Sequence, residues 1–260
     1  MPLGMTLARS LVYFAFPGDE QAEAGLVGRH LSFMRRQLRW LADLIELSGD
    51  AIDVIVPYVA PRSWDADVHR AIGAFGFRVD AESVAAARRN TFEYRGFGAM
   101  RALARNSAPD RLIYYCHSKG IVHLEESKMG LFRMHTQAGL TADLTTLAED
   151  PSLTRAGLFP YKFGWCWYNF FWIKAGSMAG LTVEESTDRY QFEALIGDRA
   201  DKQGYRGVLP LIDQLPIEET GIAVQPWYRP DETVTATIIA SYDRYAALAA
   251  PIARPTPIGR

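Results

Sequence analysis

The sequence predicts an α/β protein, a mainly parallel twisted sheet with helices on both faces. Three observations lead there. Short apolar runs alternate with longer amphipathic ones, the short runs show no polar alternation, and the segments between them are long enough to cross back over a sheet as helices. A strand covered on both faces reads as an unbroken apolar run, whereas a half-exposed strand alternates.

Residues 11–16 are the first expected strand, closed by Pro17 and Gly18. Over 26–47 the apolar residues Leu31, Met34, Leu38, Leu41, Leu44 and Ile45 recur about every 3.6 positions, which is one face of a helix, and Gly49 ends it. Residues 52–59 are a second buried strand, 63–75 a helix with Ser63 at its N-cap, and 77–79 a short third strand. A helix over 96–106 leads into a strand at 112–116. Further on, 209–221 has the prolines of a loop, 234–242 alternates like a strand, and about 245–260 is a tail.

The 260 residues are 48% hydrophobic and 22% charged, which suits one globular domain over 1–260. With 28 basic residues against 30 acidic ones, no net field favours nucleic acid or an anionic membrane. Cys116 and Cys166 lack the spacing of a zinc site or a disulfide framework, which fits a reducing, cytoplasmic setting. The N-terminal apolar run has no small-residue cleavage site and is taken as the first strand. No apolar segment reaches the roughly 18 residues that would span a bilayer.

The strand at 112–116 runs directly into His117, Ser118, Lys119 and Gly120. In doubly wound sheets ligands bind beyond the carboxyl ends of the strands, so polar residues there can meet a ligand. The plain alternative is a solvated turn with Gly120 at positive φ.

Further segments sharpen the reading: NTFEYRG at 90–96, YYCHSKG at 114–120, WCWYNFFWIKA at 165–175 and DRYQFEALIG at 188–197. In this order they resemble a family of bacterial glycosyltransferase-like proteins of cell-surface polysaccharide gene clusters, with N-x-x-E-x-x-G, H-[ST]-K-G, NFWWA-like and R-Y-x-x-E-x-x-I-G motifs. The resemblance covers about residues 90 to 200. Arg95 departs from it where proline is expected, and Tyr168 where glycine precedes the asparagine.

The resemblance implies a GT-A-like (Rossmann-like) nucleotide-binding domain, a nucleotide-sugar donor and a glycan acceptor. In that fold a D-x-D pair at the strand end holds a divalent cation against the donor's diphosphate; this chain has His117, Ser118 and Lys119 instead. A lysine ammonium can meet the leaving charge, so manganese or magnesium is not expected to be essential, and no metal ligand is assigned. His117 beside it is a proton donor, a proton acceptor or a ligand. Glu93 is the first carboxylate for a general base or charge partner, with helix capping as its plain alternative. Glu193 is the second, with pairing to Arg189 on the same helix face as its alternative.

Donor and substrate contacts are assigned to Asn90, Ser118, Gly120, Trp167, Asn169, Trp172 and Arg189. Most of the aromatic segment should fill the core, but Asn169 is an amide among aromatics and must find a ligand or a backbone partner. If 165–172 is one strand, Asn169 and Phe171 share a face opposite Phe170 and Trp172. Asp65 and Asp67, the only D-x-D, fall at a helix start where acidic residues are favoured without any metal. His123, His135, Lys128 and Arg133 are read as a solvated helix face, with a phosphate-facing basic patch as the rival. Two other functions stay open: a non-catalytic nucleotide-sugar-binding or scaffold domain, and another phosphate-donor transferase such as a sulfotransferase.

Overall fold

The computed structural model describes residues 8–20, 24–80, 91, 93–118, 121, 124, 126–140, 144–151, 154–157, 169–186, 191–192, 195 and 205–207. In chain order the elements are β1 (Arg9–Phe14), α1 (Val27–Ser48), β2 (Ile52–Val56), α2 (Asp65–Gly73), β3 (Arg78–Val79), α3 (Tyr94–Arg105) and β4 (Leu112–His117). They continue with α4 (Glu126–Leu140), α5 (Thr145–Glu149), β5 (Arg155–Gly157), β6 (Phe171–Lys174), α6 (Ala175–Ala179) and β7 (Tyr205–Gly207). Short 3-10 turns at Ala24–Leu26 and Arg62–Trp64 precede α1 and α2.

One seven-stranded sheet runs in the order β3-β2-β1-β4-β6-β5-β7. β1 pairs in parallel with β2 and β4, and β2 with β3, while β6 lies antiparallel between β4 and β5. The α/β class is as the pattern predicts, but the sheet is mixed. The reason is physical: a strand buried on both faces has the same apolar run whichever way it points, so residues 171–174 carry no sign of their direction.

Alternate residues of the central strands feed two cores. Leu11, Tyr13, Leu112 and Tyr114 pack with Leu31, Met34, Leu38 and Leu41 of α1 and with Phe132 of α4. Val12, Phe14, Ile113 and Tyr115 pack on the other face with Phe97 and Met100 of α3 and Met178 of α6. The predicted stripe of α1 is buried, and Gly49 ends the helix at φ 68°. Polar ties fix the first layer, since the Tyr13 hydroxyl donates to Gln37 at 2.7 Å and Trp40 Nε1 to Thr136 at 3.0 Å. Ser63 is not the N-cap of α2. It sits inside the preceding 3-10 turn, and Trp64 takes the cap position without a side-chain hydrogen bond.

After β3 the chain reverses across the sheet. β1, β2 and β3 step one way and β4 joins β1 on the other side, so the topological switch point lies between β1 and β4. α3 makes that reversal and lies very low on the sheet. A Cβ at Gly96 would fall 2.5 Å from the Tyr115 hydroxyl oxygen and 2.7 Å from Phe14 Cβ, so only glycine fits at this height. Gly98, half-buried in the same helix, has nothing within 4 Å of its notional Cβ.

These two glycines make a paired prediction. Gly96→Ala should lower stability by about 1–3 kcal/mol through overpacking, and Gly98→Ala should raise it by about 0.5–1 kcal/mol through helix propensity. Denaturant midpoints read both; equal effects would show that α3 does not lie this close.

Candidate functional site

The strand period places Ile113, Tyr115 and His117 on the face of β4 that looks toward α3. Tyr115 is fully buried, with ring centroids 4.9 Å from Phe97 and 5.6 Å from Phe171. His117 ends the strand. Next to it, Ser118 closes the gap to β1: its amide donates to the Phe14 carbonyl and its hydroxyl oxygen accepts the Phe16 amide, each at 2.8 Å. Ser118 is therefore a buried clamp between the two central strand ends.

Glu93 stands at the N-cap of α3, and its carbonyl accepts the Phe97 amide at 2.9 Å. Its side chain makes no cap. Instead, Oε2 accepts from Asn169 Nδ2 at 3.0 Å, and Oε1 lies 3.8 Å from His117 Nε2, beyond hydrogen-bond distance. The Glu93 and His117 side chains are 16% and 15% exposed, so they reach solvent from a half-buried corner.

Asn169 stands just before β6 at φ 52°, a left-handed conformation, and is 1% exposed. A carboxylate only accepts hydrogen bonds, so the amide nitrogen must face Glu93 and the oxygen must face away. That oxygen is buried without a hydrogen-bond partner among the described residues. The unmet acceptor costs about 1–3 kcal/mol and the left-handed backbone about 1 kcal/mol more. Local costs of this kind cluster at functional sites, which makes Asn169 a candidate.

Tyr115 completes the corner. Burial, and then the nearby Glu93 carboxylate, push its pKa well above the ordinary tyrosine value, so it remains a protonated donor under Glu93. Tyr115 is not among the residues expected from the sequence, although its place two residues before His117 is a legible sign of a shared face. Behind the corner the Phe170 ring packs against two histidines, with centroids 5.3 Å from His117 and 4.8 Å from His135.

Other expectations fall differently. Trp172 is fully buried, donates from Nε1 to the Gly139 carbonyl at 2.7 Å and packs on Tyr114, so it is core and has no face for a ligand. β6 starts only at Phe171, and Asn169 lies outside it, so the shared strand face of 169 and 171 does not exist. Asp65 accepts from the Tyr58 hydroxyl and Asp67 from Arg70 at 3.0 Å. Among the described residues no cluster of three or more histidine, cysteine or acidic side chains is arranged to hold a metal. His135 is 1% exposed and the Arg133 guanidinium lies over Trp40 at 5.2 Å, so neither belongs to a solvated face. Asn90, Lys119, Gly120, His123, Trp167, Arg189 and Glu193 lie outside the described residues.

The fold and the site together define an α/β protein with a polar corner at the switch point of its sheet. No protein-family model matches the chain, and no curated protein or solved structure matches it either. No helix among the described residues is long and apolar enough to cross a membrane.

The Glu93–Asn169 contact can be tested by stability alone. Asn169→Asp loses the donor and sets a second carboxylate against Glu93, a cost of about 3 kcal/mol or more, while Asn169→Gly loses the same bond but relieves the backbone, for a net cost of about 1 kcal/mol. Equal costs in a denaturant titration would place the Asn169 amide away from Glu93.

Proposed function

We propose that the protein transfers a sugar from a nucleotide-sugar donor to a glycan acceptor, in the making of a surface polysaccharide. One observation carries this reading. Glu93, His117 and Asn169, each from a different one of the resembling segments, converge beyond the carboxyl end of β4 at the switch point. Residues this far apart in sequence have no common local reason to meet.

In such a transfer the acceptor's hydroxyl oxygen bonds the anomeric carbon as the carbon–phosphate oxygen bond breaks. The hydroxyl proton goes to a base, and the leaving diphosphate carries the electron pair away. Glu93 suits the base: Asn169 holds its carboxylate in place and His117 stands across from its other oxygen. Lys119, two positions beyond His117 in the chain, is the residue assigned to the leaving phosphate. This reading needs no cation, and the donor's supply sets the work in the cytoplasm.

The test is a panel of nucleoside diphosphate sugars, with released nucleoside diphosphate as the readout, in excess chelator and with added manganese. The wild type should release nucleoside diphosphate from one donor in chelator. Glu93→Gln should slow release by about 100-fold or more, in line with loss of a general base, while binding the donor nearly as well. Loss of donor binding in chelator, restored by manganese, would overturn the cation-free reading. Adenosine bisphosphate released from a sulfate donor would reassign the protein to sulfate transfer, and no release from any donor would leave it a binding domain.

A further inference from the structure

We propose that the corner of Glu93, Asn169 and His117 takes a sugar ring by its hydroxyl groups and that the donor's phosphates lie outside it. The inference deepens the transferase reading and rests on it for the identity of the complete substrate, but its chemistry comes from the corner alone.

Donors and acceptors decide what the corner can hold. Asn169 Oδ1 is a buried acceptor with both lone pairs unused among the described residues, and its orientation is forced by the carboxylate on the other side of the amide. An occupant must therefore bring an N–H or O–H to it. Beside it, the Glu93 carboxylate is a second acceptor, at 16% exposure. A phosphate or diphosphate near neutral pH has almost no proton to give to that amide oxygen. A neutral ring bearing hydroxyls meets both demands, since each hydroxyl gives one hydrogen bond and still accepts others. His117 Nε2, across from Glu93, completes a set of polar atoms drawn from three segments.

Glycine is the informative substitution at position 169, because it removes the amide and accepts φ 52° without strain. The experiment is ligand-observed NMR on the wild type and Asn169→Gly. The probes are glucose, galactose, mannose, rhamnose and N-acetylglucosamine, with inorganic pyrophosphate, uridine and guanosine as the other arms. The wild type should bind at least one monosaccharide at millimolar concentration, and Asn169→Gly should weaken it about tenfold while leaving pyrophosphate within about twofold. Glu93→Gln, which keeps the side chain's size, is the second variant and should also weaken the sugar, by about threefold or more. Both variants are checked for a cooperative melting transition, and Glu93→Gln decides the matter if Asn169→Gly does not fold.

Three results overturn the proposal: no monosaccharide bound by the wild type, a sugar bound equally well by the variants, or a loss confined to pyrophosphate or a nucleoside. Donor consumption by the wild type is scored separately. A protein that consumes donor but whose variants bind sugar normally keeps the transferase reading and loses this one. A protein that binds sugar through Asn169 and consumes no donor keeps this inference and loses the transferase reading.

Discussion

The corner depends on how low α3 lies over β1 and β4. Gly96 sets that height, because any Cβ there would run into Tyr115 and Phe14. Glu93 stands three residues earlier, almost one helical turn, so the same approach that seats Gly96 on the Tyr115 ring brings the Glu93 carboxylate over the end of β4. Tyr115 has two parts in this. Its ring is the floor under the helix, and its buried, firmly protonated hydroxyl lies beneath the carboxylate.

Given that height, the rest of the corner follows from satisfying a half-buried carboxylate. Glu93 is met by the Asn169 amide, just before the neighbouring strand β6, and faces a histidine at the end of β4. Asn169 accepts a strained backbone and an unmet oxygen to make this contact. The apolar layer beneath, with Phe170 against His117 and with Phe97 and Phe171 around Tyr115, fixes these groups in place.

Much of the fold is legible in the sequence where one local rule decides. The stripe of α1 and its stop at Gly49 follow from period and from positive φ, and the unbroken runs of β1 and β4 follow from burial on both faces. Asn169 stands out as an amide among aromatics, and Glu93 as a carboxylate at a helix start. What the sequence hides is tertiary. The Glu93–Asn169 bond spans 76 positions, so no window contains it. An aromatic ring such as Trp172 can stack on a sugar or fill a core, and only its burial and its bond to the Gly139 carbonyl decide between the two. Ser118 looked like a ligand contact for the same reason: a hydroxyl at a strand end serves a ligand or a neighbouring backbone equally well, and here it meets the Phe16 amide.

The central claim is that this corner is where a substrate binds and that the substrate offers it hydroxyl groups. A crystal structure of the protein with a bound nucleotide-sugar tests that most directly. The account predicts a ring hydroxyl within hydrogen-bond distance of Asn169 Oδ1, a hydroxyl against Glu93, and the phosphates outside the corner. Phosphate oxygens against Asn169 and Glu93, or a ligand seated away from the carboxyl ends of β1 and β4, would contradict it.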